Sequence, residues 1–240
     1  MNPRYELLEK VAESGQGVVW CGVDRETGQK IAVKKPGGPS ALTSIAHPHV
    51  VRVLECAADA MVMEWIDGET LEARGRLDAT AFDALVRQSL DGLAAIHDSG
   101  FLHLDLKPDN ILISDSRFQI SDFGCVKPIT DAKASLHGSV HYMAPECFEG
   151  GMLDARADLY ALGCVFYFAL TGRTAFEGEL KPQVITAHLQ HRFEPLPERV
   201  PQLLRHWVGH LLARKAAVRP ASARDALQTY RAIAEIMADA

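Results

Sequence analysis

Long apolar runs are missing from this sequence. The longest strongly apolar stretch, Ala161 to Leu170, is too short to cross a bilayer and reads as a buried helix. The first residues, MNPRYELLEK, carry charges where a signal peptide needs an apolar stretch, so no export signal is expected there. Paired cysteines are missing too. Cys21, Cys56, Cys125, Cys147 and Cys164 form no CxxC pair, and their number is odd. That suits reduced thiols better than disulfides or a zinc site. Positive charge is not in excess: 25 Lys and Arg face 31 Asp and Glu, for a net charge of −6. The chain is therefore a poor candidate for general binding to nucleic acid or to an anionic membrane surface, short of a local basic patch. No internal repeat and no low-complexity linker breaks the chain.

What is present is ordinary globular material. The 240 residues are 48% hydrophobic and 23% charged, enough to bury a core in one large domain or two small ones. The texture changes along the chain. Up to about Trp65 it is β-like. GVVWCGVD and QKIAVKK are short β-branched runs around a hairpin turn at ETG, and HVVRVLEC and AMVMEW continue the style. From Leu77 onward the pattern is helical. Asp78 or Thr80 can cap a helix carrying Phe82, Leu85, Val86, Leu90, Leu93 and Ile96, which stops at Ser99-Gly100. Further helices are expected over about Ala157 to Thr171, Gln202 to Leu212 and Ser222 to Met237. The switch falls near Asp67-Gly68.

The chemistry sits in the middle. Residues 103–110 read HLDLKPDN, and Asp122-Phe123-Gly124 follows the strand-like pair ILIS and FQIS. Together these place an Asp, a Lys, an Asn and a second Asp around one β-hairpin. That set suits phosphoryl transfer. One carboxylate orients an attacking hydroxyl and takes its proton, and the lysine neutralises a γ-phosphate. An amide oxygen and the other carboxylate hold Mg²⁺. The fixed positions of HxDxKPxN arise by chance in only ~10⁻⁴ of chains this long, so the pattern counts as signal.

On these motifs the chain resembles the serine/threonine protein kinases, in the style of bacterial kinases of the eukaryotic type. The resemblance spans almost the whole chain. It implies an α+β, two-lobed fold over residues 1–240, with a small β-rich N-lobe over 1–66 and a helical C-lobe over 67–240. It implies ATP and Mg²⁺ as cofactors and Ser or Thr hydroxyls of proteins as acceptors. It casts Asp105 and Lys107 as catalytic, Asn110 and Asp122 as metal ligands, and Lys34 as the third-strand lysine that grips the α/β-phosphates. Gly15 and Gly17 fall in the glycine-rich loop. Met63 would be the gatekeeper, the backbone of Glu64 and Ile66 would meet the adenine, and Val19, Ala32 and Leu112 would sandwich it. Ala144-Pro145-Glu146 matches the motif closing the activation segment, Arg219 the arginine that pairs with its glutamate, and Asp158 the aspartate that braces the catalytic loop.

Three departures stand out. The glycine-rich loop falls on Ala12-Glu13-Ser14-Gly15-Gln16-Gly17-Val18-Val19, with only Gly17 in register. Leu104 replaces the arginine that in the family pairs with an activation-segment phosphate, so little dependence on such a phosphate is expected. The interval KPGGPSALTSIA holds no Asp or Glu, and its prolines and glycines forbid the family's helix C and its glutamate. Only Ser40 to Ala46 can make a turn or two. The partner of Lys34 must then be Asp122 or, less favourably, Glu13 or Glu55, or come from a regulatory protein that replaces helix C. The alternative is a pseudokinase acting as a scaffold. A small-molecule kinase fits less well, because the activation segment is complete.

Smaller expectations complete the reading. Ser139 stands where the family has a threonine on the catalytic Asp. Ser135 and Thr130 are candidate phosphorylation sites. Cys125 follows Asp122-Phe123-Gly124 and is a small buried residue before it is a reactive one. His103 packs under Phe123 rather than serving as a base, and His206 and His210 are ordinary helix histidines. A cytoplasmic location is expected, or that of a secreted effector, with neither nucleic acid nor membrane as partner.

Overall fold

The computed structural model describes residues 2–15, 17–136 and 138–239. Gln16 of the glycine-rich register lies outside the described residues. The chain opens with strands β1 (Tyr5–Ser14), β2 (Gly17–Asp24) and β3 (Lys30–Lys35). A 3₁₀ turn at Ser40–Ser44 follows, then β4 (Val53–Cys56) and β5 (Met61–Glu64). These five strands form one antiparallel sheet in the order β1-β2-β3-β5-β4. The expected strand over HVVRVLEC is only half formed. Val51 instead donates its amide to Ile120 O at 2.8 Å, so its first half joins the next part of the molecule.

Alternation assigns the faces of this sheet. Ile31 and Val33 pack with Tyr5, Ala60 and Val62 in a small outer core. Ala32 and Lys34 face the other way, in register with Met63 and Met61. That inner face is covered by Leu42 and Ile45 from the 3₁₀ turn and its end, both buried. A compact apolar plug thus sits where a long helix cannot form.

Beyond the sheet come β6 (Glu69–Thr70), α1 (Leu71–Arg74), α2 (Ala79–Asp98), β7 (Phe101–Leu102), β8 (Ile111–Ser114), β9 (Arg117–Ile120) and β10 (Lys127–Pro128). Asp78, not Thr80, caps α2, accepting the Ala81 amide at 2.8 Å. The remaining helices are α3 (Pro145–Glu149), α4 (Ala155–Thr171), α5 (Lys181–Leu189), α6 (Gln202–Leu211) and α7 (Ala223–Ala238). Helix α4 is apolar all round and buried over most of its length, so it is the central post of this half. It begins at Ala155 because Asp154 accepts the Arg156 amide at 2.8 Å. Gly172, in the left-handed region, ends it. The result is the two-lobed α+β arrangement: a sheet with little helix, then a mostly helical half built on α2 and α4.

Candidate active site

The site is built outward from α4. Asp158, in its first turn and 1% exposed, accepts the amides of His103 and Leu104 at 2.8 Å each. His97 Nε2, on α2, lies 2.9 Å from the same carboxylate. Burial alone would push the Asp158 carboxyl up. The His97 contact, with His103 and the Leu104 amide, outweighs burial and holds it below its ordinary value. These bonds hold Leu104 at φ 61, a left-handed conformation that a leucine rarely adopts. The loop therefore turns sharply at Leu104 and carries Asp105 inward.

Asp105 is buried and fully engaged. Its Oδ1 accepts the Ser139 amide at 3.0 Å, and its Oδ2 accepts from Asn110 Nδ2 at 3.2 Å. Lys107 Nζ stands 3.4 Å from that Oδ2. Asn110 Nδ2 also donates to Asp105 O at 2.7 Å, which turns the amide oxygen of Asn110 away from the loop. A Cβ on Gly138 would lie 3.1 Å from Asp105 Oδ1 at φ +120, so glycine lets the activation segment pass this close. Ser139 touches Asp105 through its backbone amide, where the resemblance had pointed to a hydroxyl residue.

Strands β8 and β9 bring in the second carboxylate. Ser121 donates its amide to Asn110 O at 2.9 Å, closing the hairpin so that Asp122 arrives beside Asn110. Asp122 Oδ1 accepts from Lys34 Nζ and from the Gly124 amide, the latter at 3.0 Å. Burial would raise this carboxyl. The Lys34 charge and hydrogen bond, with Gly124, hold it below its ordinary value. Lys34 is 2% exposed. Its carboxylate partner is thus Asp122. Glu13 instead pairs with Lys10 at 2.7 Å, and Glu55 accepts from Asn2 at 3.2 Å. The Lys34 ammonium is thus covered and paired from within the chain.

Val19 faces Lys34 across β2 and β3, and Ala32 faces Met63 across β3 and β5. Ala32, Ile66 and Leu112 are half-buried. The Glu64 carboxylate turns away, accepting the Arg52 amide at 2.9 Å and Gln119 Nε2 at 3.3 Å. The Ile66 amide donates to no group among the described residues, which leaves it for a ligand. Gly17 closes the β1–β2 hairpin at φ +131, where a Cβ would lie 2.1 Å from Lys35 O, whereas Gly15 is unconfined.

The closing tie lies on the far side of α4. Arg219 makes a bidentate pair with Glu146 at 2.6 and 2.8 Å and also donates to Arg156 O and Ala213 O. Its guanidinium stacks over Tyr160 at 4.7 Å.

The protein kinase domain family matches residues 39–230. The chain belongs to the protein kinase family. The matched stretch leaves out β1 to β3, and similarity to individual kinases covers them. A probable serine/threonine-protein kinase of Bifidobacterium longum is 31% identical over 90% of this chain and 33% of its own. A serine/threonine-protein kinase of Myxococcus xanthus is 31% identical over 94% of this chain and 32% of its own. The serine/threonine-protein kinase PknL of Mycobacterium tuberculosis is 30% identical over 99% of this chain and 67% of its own. The chain thus spans about a third of the length of the first two relatives. In this kinase domain no described helix is long and apolar enough to cross a membrane.

Some of the kinase site escaped sequence reasoning. His97 carries no motif, and only the fold shows that it reaches Asp158. Lys127 Nζ donates to Ser135 Oγ at 3.0 Å and to Lys133 O at 2.8 Å, a contact no spacing announces. Cys125 is buried, and burial, followed by Asp105 and Asp122, pushes its thiol up to about 11. His103 tilts against Phe123 with ring centres 5.6 Å apart, as expected of a core residue.

Proposed function

We propose that this domain transfers the γ-phosphate of Mg·ATP to Ser or Thr hydroxyls of protein substrates. The observation that carries the reading is the convergence of Asp105, Lys107, Asn110 and Asp122, with Lys34 held on Asp122. The cleft lies between residues 1–66 and 67–240, as the N- and C-lobes. The donor set fits a hard cation. The Asn110 amide oxygen points away from its own hydrogen bonds, and Asp122 Oδ2 takes none among the described residues. Bound with ATP, Mg²⁺ would neutralise charge on the phosphates.

The chain's own groups supply the rest. Asp105, fixed by the Ser139 amide and Asn110, orients the acceptor hydroxyl and takes its proton as the oxygen attacks phosphorus. The new O–P bond forms as the bond from the γ-phosphorus to the bridging oxygen breaks, and ADP leaves. Lys107 sits beside Asp105, where charge builds on the transferred group. Lys34 steadies the α/β-phosphates. Glu64 and Ile66 offer backbone groups to the adenine, and Val19, Ala32 and Leu112 its walls. Gly15 and Gly17 let the hairpin approach the phosphates. The pseudokinase alternative rests on the missing helix-C glutamate; the Lys34–Asp122 pair, which gives the lysine a carboxylate from within the chain, supports the active reading instead. Five buried, unpaired cysteines favour a reducing, cytoplasmic setting.

Purified protein with labelled ATP, Mg²⁺ and a generic basic protein tests the reading. Transfer should occur and should fall by about 10³-fold or more in Asp105→Asn and Asp122→Asn. A scaffold would show no transfer in any of the three proteins.

A further inference from the structure

Helix α6 turns one face toward a cavity that shares no residue with the site described above. Gln202, Arg205 and Gly209 are spaced so as to lie on that one face, and all three line the cavity. Opposite them runs the irregular stretch 192–197, from which Phe193 and Leu196 reach the cavity, and Val208 completes an apolar wall. Phe193 is held by Phe176, with ring centres 5.2 Å apart. The cavity measures about 420 Å³, within the size range of small-molecule sites. Gly209 keeps it open, since a Cβ there would meet nothing within 4 Å outside its own turn of helix. The charge of the cavity is one-sided. Arg205 is the only lysine or arginine that lines it, and no Asp or Glu does. Among the described residues the Arg205 guanidinium has neither a hydrogen bond nor an ion pair, and its Nε is buried without a partner. Glu194, in the facing stretch, is taken by Arg173 at 3.0 Å. No side chain caps the start of α6 at Pro201, so the positive end of its dipole lies on the same side.

We propose that this cavity binds a free small-molecule carboxylate with an apolar body of one or two rings, and that Arg205 is the residue that selects the carboxylate. An unpaired guanidinium beside an apolar wall matches that chemistry. A carboxylate accepts two parallel hydrogen bonds from an arginine, a geometry that a lysine cannot offer. The Arg205 side chain turns so that Nε and a terminal nitrogen each donate to one oxygen, which relieves a buried donor of its missing acceptor. The rings lie against Phe193, Leu196 and Val208, in the space that Gly209 leaves free. A recess of this size suits a small molecule, whereas a protein partner needs a face of about 800 Å². The inference goes beyond the kinase reading and does not depend on it.

Proton–nitrogen correlation NMR of the whole chain tests this, with naphthoate as the probe and naphthamide and benzoate as controls. The Arg205 Nε–Hε signal, identified by its loss in Arg205→Gln, should shift saturably as naphthoate is added. Naphthamide keeps the rings and drops the charge, so it should bind about tenfold more weakly or worse. Benzoate keeps the charge and drops a ring, and should also bind about tenfold more weakly. The Phe193 amide signal reads binding in the variants. Arg205→Gln should bring naphthoate down to the level of naphthamide and leave naphthamide unchanged. Gly209→Leu should weaken both by about tenfold or more while its melting temperature stays level or rises, because leucine fills the cavity and favours helix. No saturable shift in folded wild type, equal binding of naphthoate and naphthamide, or naphthoate binding unchanged in either variant would overturn the proposal. So would a wild-type dimer that Gly209→Leu renders monomeric, since the cavity would then be an interface between copies. None of these results bears on phosphoryl transfer, which is assayed separately.

Discussion

His188 shows how one buried side chain sets a pH limit on the molecule. It is wholly buried in α5, with Nδ1 2.7 Å from the Tyr160 hydroxyl and its ring stacked on Phe176 at 4.0 Å. Burial pushes its pKa from 6.5 down to about 3. Between those values the unfolded chain binds a proton that the folded chain refuses. Stability is therefore complete above pH 6.5 and falls as the pH drops toward 3. The melting temperature should decline through that window, with a slope of up to about 1.4 kcal/mol per pH unit from this group. His188→Phe should cost about 1–2 kcal/mol at pH 7, because Tyr160 loses its partner, and should flatten the slope. An unchanged slope in the variant would assign the acid sensitivity elsewhere. Nothing in KPQVITAHL announces this residue. The stretch has few apolar positions and no clear period, so neither α5 nor its buried histidine was legible. Asp105, Asn110 and Asp122 were legible because their spacing is itself the chemistry.

At the scale of elements, the turn at Ser40–Ser44 takes over a covering role. Leu42 is 0% exposed and packs on the inner face of the sheet beside Met61. Leu42→Ala should cost about 2–5 kcal/mol and lower the denaturant midpoint. A loss below about 1 kcal/mol would mean that the site collapses without it. The sequence showed that a long helix could not form here, since prolines and glycines are decisive locally, and left room for the short turn at Ser40–Ser44. It put Asp122 first among the candidate partners of Lys34, but only the fold selects it over Glu13 and Glu55, because that contact joins residues 88 apart. The same distinction explains the strands. β2 matched GVVWCGVD, while the expected strand at His49 was cut short because Val51 bonds to Ile120, a long-range choice. The activation segment gives a second prediction. Leu104 offers no charge to a phosphate, and among the described residues only Lys127 is seen to reach the Ser135 side chain. Dephosphorylated protein, and Ser135→Ala with Thr130→Ala, should keep transfer rates within about threefold of the phosphorylated form. Inactivity on dephosphorylation, reversed by rephosphorylation, would contradict this.

For the whole molecule, burial sorts the ion pairs into two groups. Arg224–Asp98, Arg173–Glu194 and Arg214–Glu149 lie on the surface, whereas the guanidinium of Arg219 is fully buried against Glu146. Dissolved ions reach the first group and not the second. Raising salt from about 0.1 M to 1 M shortens the Debye length from about 10 Å to 3 Å, which mutes surface pairs. Arg219→Met should therefore lower the melting temperature by similar amounts in dilute buffer and in 1 M NaCl. Arg224→Ala should lose any small effect it has in dilute buffer once salt is added. Equal salt sensitivity in both variants would contradict the sorting. In concentrated brine the outer fastenings of this molecule fall silent, while the clasp that anchors its activation segment to the central helix goes on holding.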